Sequence, residues 1–263
     1  MIGRKSIVGV ALFSVFAFLV VAVQGAAARE YEPTTNTTAV TCAPQEKGEF
    51  SDEHCDSFVG APNGKFSHVR IAPGTSTSIE VTNEKTGPET KSAEKAVLKG
   101  TLFGVESLIT AETVSGTGSI KNVESGTNMQ VEGEVTTKFT KVKVDKPEGC
   151  SIQEPIEFTT KFRGVKDKAA PTRMGLEFFP KEGNTFVILH LSGGLLCPAN
   201  AEVTGTTVAT GGSSGEHGSG ATAVFTEEDS NLKFGGNPAS FTGKFTTRMS
   251  GGGNPIALTT NAP

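Results

Sequence analysis

Apolar residues at every second position, in short runs that end at glycine, proline or asparagine, govern most of this chain. Met129, Val131, Gly133, Val135, Thr137 and Phe139 share one side of such a run. Ile156, Phe158, Thr160 and Phe162 alternate with Glu157, Thr159, Lys161 and Arg163. Near the C-terminus Phe241, Gly243, Phe245, Thr247 and Met249 alternate with Ser240, Thr242, Lys244, Thr246 and Arg248. Successive side chains of a strand point to opposite faces, so a period of two builds one dry face and one wet face. A helix needs apolar residues three and four apart, and no stretch beyond the first 28 residues sustains that spacing. β-Branched residues fill the apolar positions, as pleated surfaces favour. The predicted fold class is all-β: an antiparallel β-sandwich or barrel.

Within that class the punctuation places the strands. Residues 65–72 and 77–82 read as strands divided by Pro73-Gly74. Ala96, Leu98, Gly100 and Leu102 share a face, and 108–114 follows. Gly116-Thr117-Gly118 reads as a turn. Beyond Phe139 the apolar residues fall at Val142 and Val144, the opposite parity, which predicts a bulge or break near Thr140 and Lys141. Residues 186–191 are the most apolar run after the N-terminal one, bounded by Gly183-Asn184 and Gly193-Gly194. They are expected to form the central strand, buried on both faces. The Gly-Gly-Asn-Pro turn at 235–238 returns at 252–255 and hints at a repeated meander.

The N-terminus has a different character. Arg4 and Lys5 precede an almost wholly apolar stretch, 6–23, and Ala26-Ala27-Ala28 supplies small residues. This is the pattern of a secretory signal peptide over 1–28, with cleavage expected after Ala28. The alternative is an uncleaved transmembrane anchor. With cleavage, no membrane-spanning segment would follow. The leader carries two of the 24 basic residues and none of the 28 acidic ones, so the remainder has a net charge of −6. A mildly acidic chain without a basic patch argues against nucleic acid as a partner. Residues 29–40 are polar and read as a flexible lead-in, and 41–263 as a single all-β domain. The alternative is two β lobes meeting near 145–149. Cys42, Cys55, Cys150 and Cys197 all lie beyond the leader, and an even count in an oxidising compartment predicts two disulfides. Pairing near neighbours, Cys42 with Cys55 and Cys150 with Cys197, closes the shorter loops. The first bond would staple an N-terminal loop to the body.

Reactive chemistry is sparse. Gly211-Gly212-Ser213-Ser214-Gly215 has the letters of a nucleophile elbow without the strand before it and helix after it, and His217 lies in the same glycine-rich loop. His190 falls on the face of Ile188 and is expected to be a buried structural histidine. His54 stands among Asp52, Glu53 and Asp56 beside a disulfide cysteine, and Glu227-Glu228-Asp229 lacks calcium-loop spacing. No catalytic, cofactor-binding or metal-ligating residue is assigned. The 17 phenylalanines stand against no tryptophan and a single tyrosine, Tyr31. Phenylalanine has no polar handle, so this inventory suits cores better than sugar or protein recognition surfaces.

Five segments carry a resemblance: His68-Val-Arg-Ile-Ala-Pro-Gly-Thr75, Val114-Ser-Gly-Thr-Gly118, Pro147-Glu-Gly-Cys150, Leu232-Lys-Phe-Gly-Gly-Asn-Pro238 and Asn254-Pro-Ile-Ala-Leu-Thr-Thr260. Together they resemble a family of uncharacterised secreted proteins from high-GC soil actinobacteria. The resemblance implies a bacterial, secreted product and no particular chemistry. It also implies an extra cysteine pair in many relatives, near the positions of Ala111 and Lys141. The leading functional expectation is an exported, non-enzymatic β-protein, an extracellular or envelope structural or interaction domain. A barrel that binds a small apolar ligand and an extracellular hydrolase are the alternatives. A Phe-lined cavity with His190 pointing into it would favour the barrel binder.

Overall fold

The structure, a computed structural model, describes residues 28–53, 55, 57–83, 94–211, 222–251, 253–254 and 256–259. The leader up to residue 27 lies outside the described residues, as do His54, Asp56, most of the 84–95 loop, and Ser213 and His217 with the loop around them. The described residues form strands and connections, with no helix among them. In chain order the strands are β1 (Tyr31–Pro33), β2 (Thr38–Gly48), β3 (Gly64–Arg70), β4 (Thr77–Thr82), β5 (Ala96–Leu102), β6 (Val105–Ser125), β7 (Asn128–Lys146) and β8 (Ser151–Ile152). They continue with β9 (Ile156–Asp167), β10 (Met174–Pro180), β11 (Thr185–Leu189), β12 (Leu191–Ser192), β13 (Ala201–Gly211), β14 (Thr222–Phe234), β15 (Asn237–Met249) and β16 (Ile256–Thr259).

The ladders are antiparallel, and they close a circle. β6 pairs with β7, β7 with β9, and β9 with β10. β10 and β11 both pair with β13, which pairs with β14, and β14 pairs with β15. β15 returns to β6 through β4 at one end and β5 at the other. Of the two architectures the alternation allowed, this is the barrel. With β4/β5 and β10/β11 each forming one broken stave, the wall has eight staves, a size whose interior holds side chains or one small ligand. β7, which runs into 145–149, and β9, which follows β8, pair with each other in this same wall.

Both ends are covered. At one, β16, β2 and β3 form a three-stranded sheet whose Ala39, Ile71, Ile256 and Leu258 pack against Ile120, Val131 and Phe162 of the wall. Asn122 of β6 fastens it: the fully buried side chain accepts from Ala39 N at 2.7 Å and donates to Ala39 O at 2.9 Å and Ile71 O at 2.7 Å. The Cys42–Cys55 disulfide staples this sheet to the following loop around Phe50 and Phe66. At the other end β8 pairs with β12, and the Cys150–Cys197 disulfide lies beside them.

Three local readings change. Gly116 and Gly118 are not a turn, because β6 runs straight through them. A Cβ at Gly118 would overlap the Glu134 carbonyl of β7, so these glycines permit close approach of two long, coiled strands. The run at 186–191 is not central: β11 pairs with β13 alone, and a register shift between Thr185 and Val187 turns Ile188 and His190 outward. Residues 29–40 are not a loose lead-in. β1 pairs with β9, and Tyr31 donates a 2.6 Å hydrogen bond to the buried Asp229. The parity change after Phe139 is present, with Lys141 at φ 53. β6 changes parity opposite it, between Ala111 and Val114, so the β6–β7 register is kept there.

Candidate functional site

Inward-facing residues of the wall do not fill the barrel. They line an apolar cavity of about 160 Å³. Its lining contains seven of the 17 phenylalanines, aliphatic residues and alanines, and four threonines: Thr137, Thr160, Thr207 and Thr247. Among the described residues no charged, amide or imidazole side chain lines it. A smaller hollow of about 60 Å³ lies toward the three-stranded sheet and shares Val81, Val135, Phe178, Ala223 and Thr247 with the larger one.

The aromatic rings form a connected belt. From Phe186 of β11 it runs through Phe158, Phe139, Phe241 and Phe225 to Phe178 of β10, with successive ring centroids 5.2 to 6.1 Å apart. Phe245 joins against Phe225 and Phe241. Local sequence explains the spacing on β15. Phe241 and Phe245 are both inward on a period of two, and Gly243 between them leaves out a Cβ that would crowd the Phe245 ring at 2.8 Å. Edge-to-face and offset rings at these distances attract one another, so the belt stiffens the cavity wall instead of collapsing into it.

Among the described residues the wall has a weak line beside the cavity. β10 ends at Pro180, and β11 shares no ladder with β9. Ile156, Phe158 and Val187 flank this seam; each lines the cavity and each is only half-buried. The Phe158 and Phe186 rings meet edge to face across it. The seam is closed on one side by the β9–β10 ladder and on the other by the β8–β12 pair and the Cys150–Cys197 disulfide.

The cysteines form the two near-neighbour bonds, Cys42–Cys55 and Cys150–Cys197. His190 does not point into the cavity: it is exposed, with Nδ1 2.9 Å from Asn200 Oδ1 and 3.3 Å from Ala199 O. Glu227-Glu228-Asp229 is more than an acidic turn. Residues 226–229 leave the β13–β14 ladder, and the Asp229 carboxylate is buried outside the cavity lining. It accepts from Tyr31 Oη at 2.6 Å, Thr226 Oγ1 at 2.6 Å and Arg173 Nη2 at 2.9 Å. Arg29 ion-pairs with Glu228 and lies 3.5 Å from Asp167. Burial, followed by the bond to Asp229, pushes the Tyr31 phenol far above its ordinary range. This network straps the N-terminal segment to the barrel. Alternation and phenylalanine excess signalled an aromatic interior, but nothing in the sequence signalled that the rings would stand around a void.

Compared with protein-family models, curated proteins and solved structures, the chain matches none.

Proposed function

We propose that this is an exported, non-catalytic β-barrel that takes up a small, uncharged, mainly apolar molecule. The cavity carries the reading. An engineered protein cavity of about 150 Å³ lined by aliphatic and aromatic residues stays dry and binds benzene, and this one is of the same order and chemistry. Among the described residues its lining has no titratable side chain to transfer a proton, and no cation or anion to hold a charged ligand. Export is supported by the leader pattern and by two disulfides, which persist in oxidising compartments.

The test is titration of the purified protein with toluene, followed by calorimetry and by shifts of cavity methyl signals. Saturable one-to-one binding is expected. Ala111→Leu, which places a larger side chain into the void from a buried lining position, should abolish it while the barrel stays folded. Absence of saturable toluene binding by the unmodified protein would refute the reading.

A second reading, an envelope interaction domain, draws on exposed Phe103, Leu195 and Leu196, which the topology places at the end bearing the Cys150–Cys197 bond. It predicts sedimentation with isolated cell envelopes that Leu195→Asp with Leu196→Asp removes.

A further inference from the structure

One lining residue is out of keeping with the rest. Thr207 of β13 is buried, lines the cavity, and its hydroxyl has no hydrogen-bond partner among the described residues. It sits opposite Phe178 on β10 and Ser230 on β14, at the last paired position before β14 leaves the ladder. Valine has nearly the same shape and would pack there without a stranded hydroxyl. A buried hydroxyl with no partner is destabilising, whereas the same hydroxyl bonded to a bound molecule is not.

Water suits the position poorly. A buried water needs two to four polar partners, and the surrounding lining is aromatic and aliphatic. Of the other lining threonines, Thr160 already directs its hydroxyl toward Val135 O, at 3.5 Å. A ligand bringing one polar group on an apolar ring would satisfy Thr207 and leave the Phe belt in contact with carbon.

Resting on the cavity reading above, we propose that Thr207 is the polar anchor of the site and that the ligand class is a single aromatic ring bearing one hydroxyl or carbonyl oxygen, a phenol-like molecule. The hydroxyl of Thr207 can donate or accept, so either oxygen type is bound. A charged phenolate or carboxylate is not, because the lining holds no cation to pair with it.

Phenol and toluene separate the anchor from the cavity, since one carries a hydroxyl where the other carries a methyl. Each is titrated into the unmodified protein, Thr207→Val and Thr207→Ser. Thr207→Val should weaken phenol about fivefold to tenfold, the range of one neutral hydrogen bond, and leave toluene unchanged or slightly tighter. Thr207→Ser should keep the phenol affinity within about twofold, being the same donor and acceptor. Equal loss for both ligands in Thr207→Val, no loss for phenol, or a Thr207→Ser that behaves like Thr207→Val would overturn the anchor while toluene binding by the unmodified protein preserves the cavity. Failure of both ligands with the unmodified protein would remove the cavity reading and the anchor together.

Discussion

Tyr31 and Asn122 show how single side chains hold this barrel where ladders stop. The Tyr31 phenol is half-buried against Asp229, which favours its protonated form. In an unfolded chain a phenol ionises near pH ~10. The folded-state value is raised, so the stability linked to this proton is complete below pH ~10 and is lost as pH climbs above it. Tyr31 is the sole tyrosine and there is no tryptophan, so absorbance at 295 nm reports on it without interference. Phenolate should appear only together with loss of the β circular dichroism signal. A smooth titration near pH ~10 in a chain that stays folded would rule this out. Asn122 makes three bonds at once to the backbone of Ala39 and Ile71, and Ala39 O also accepts from Ile71 N. Asn122→Ala strands the buried Ala39 N–H and the Ile71 carbonyl, while Ala39 O keeps its bond from Ile71 N, and should cost about 3 kcal/mol in chemical denaturation. An effect under about 1 kcal/mol would mean that water or a neighbouring group takes its place. Neither role was legible beforehand, because an asparagine in a polar run looks the same whether it is solvated or saturated. Thr207 gave no signal either, standing in a stretch where threonines recur on both faces.

At the scale of elements, legibility followed the wet face. β4 matches its sequence reading residue for residue, and the alternations of β9 and β15 each coincide with a strand, because one face of each repeats polar residues in solvent. β6 was cut at Gly116 and Gly118 because the letters for a turn and for close strand approach are identical. β11 was over-read: a short apolar run does not say whether two faces are buried or whether a bulge turns part of it outward. The consequential element pair is β9 and β11, which face each other without a ladder and are held on one side by Cys150–Cys197. The two disulfides therefore differ in their expected effect. On the chain-entropy relation, the 47-residue separation contributes about 4 kcal/mol and the 13-residue one about 3 kcal/mol. Cys150→Ser with Cys197→Ser should, besides that loss, speed toluene exchange by loosening the seam. Cys42→Ser with Cys55→Ser should lower stability and leave exchange unchanged. Saturation-transfer or line-shape measurements read both rates, and equal rates in the two variants would place the entrance elsewhere.

At the largest scale the described residues form a closed wall covered at each end, with their ionisable groups outside the cavity lining. That separation has a thermodynamic signature. A ligand that binds only the folded state raises stability by mass action, by about 2.7 kcal/mol at one hundred times its dissociation constant. For a barrel of this size that is a rise of roughly 5–10 °C in melting temperature. Because no group in the lining changes charge, the increment from toluene should be the same at pH ~5 and pH ~8, even though the melting temperature of the free protein moves with the carboxylates and ion pairs of the outer surface. A site that recognised a carboxylic acid through a buried cation would behave otherwise, its increment following the ionisation of the ligand. Scanning calorimetry with and without toluene at several pH values separates the two. A constant increment in the unmodified protein and none in Ala111→Leu is the expected pattern. An increment that varies with pH would mean that a titrating group reaches the bound molecule, and the neutral cavity would not be the binding site.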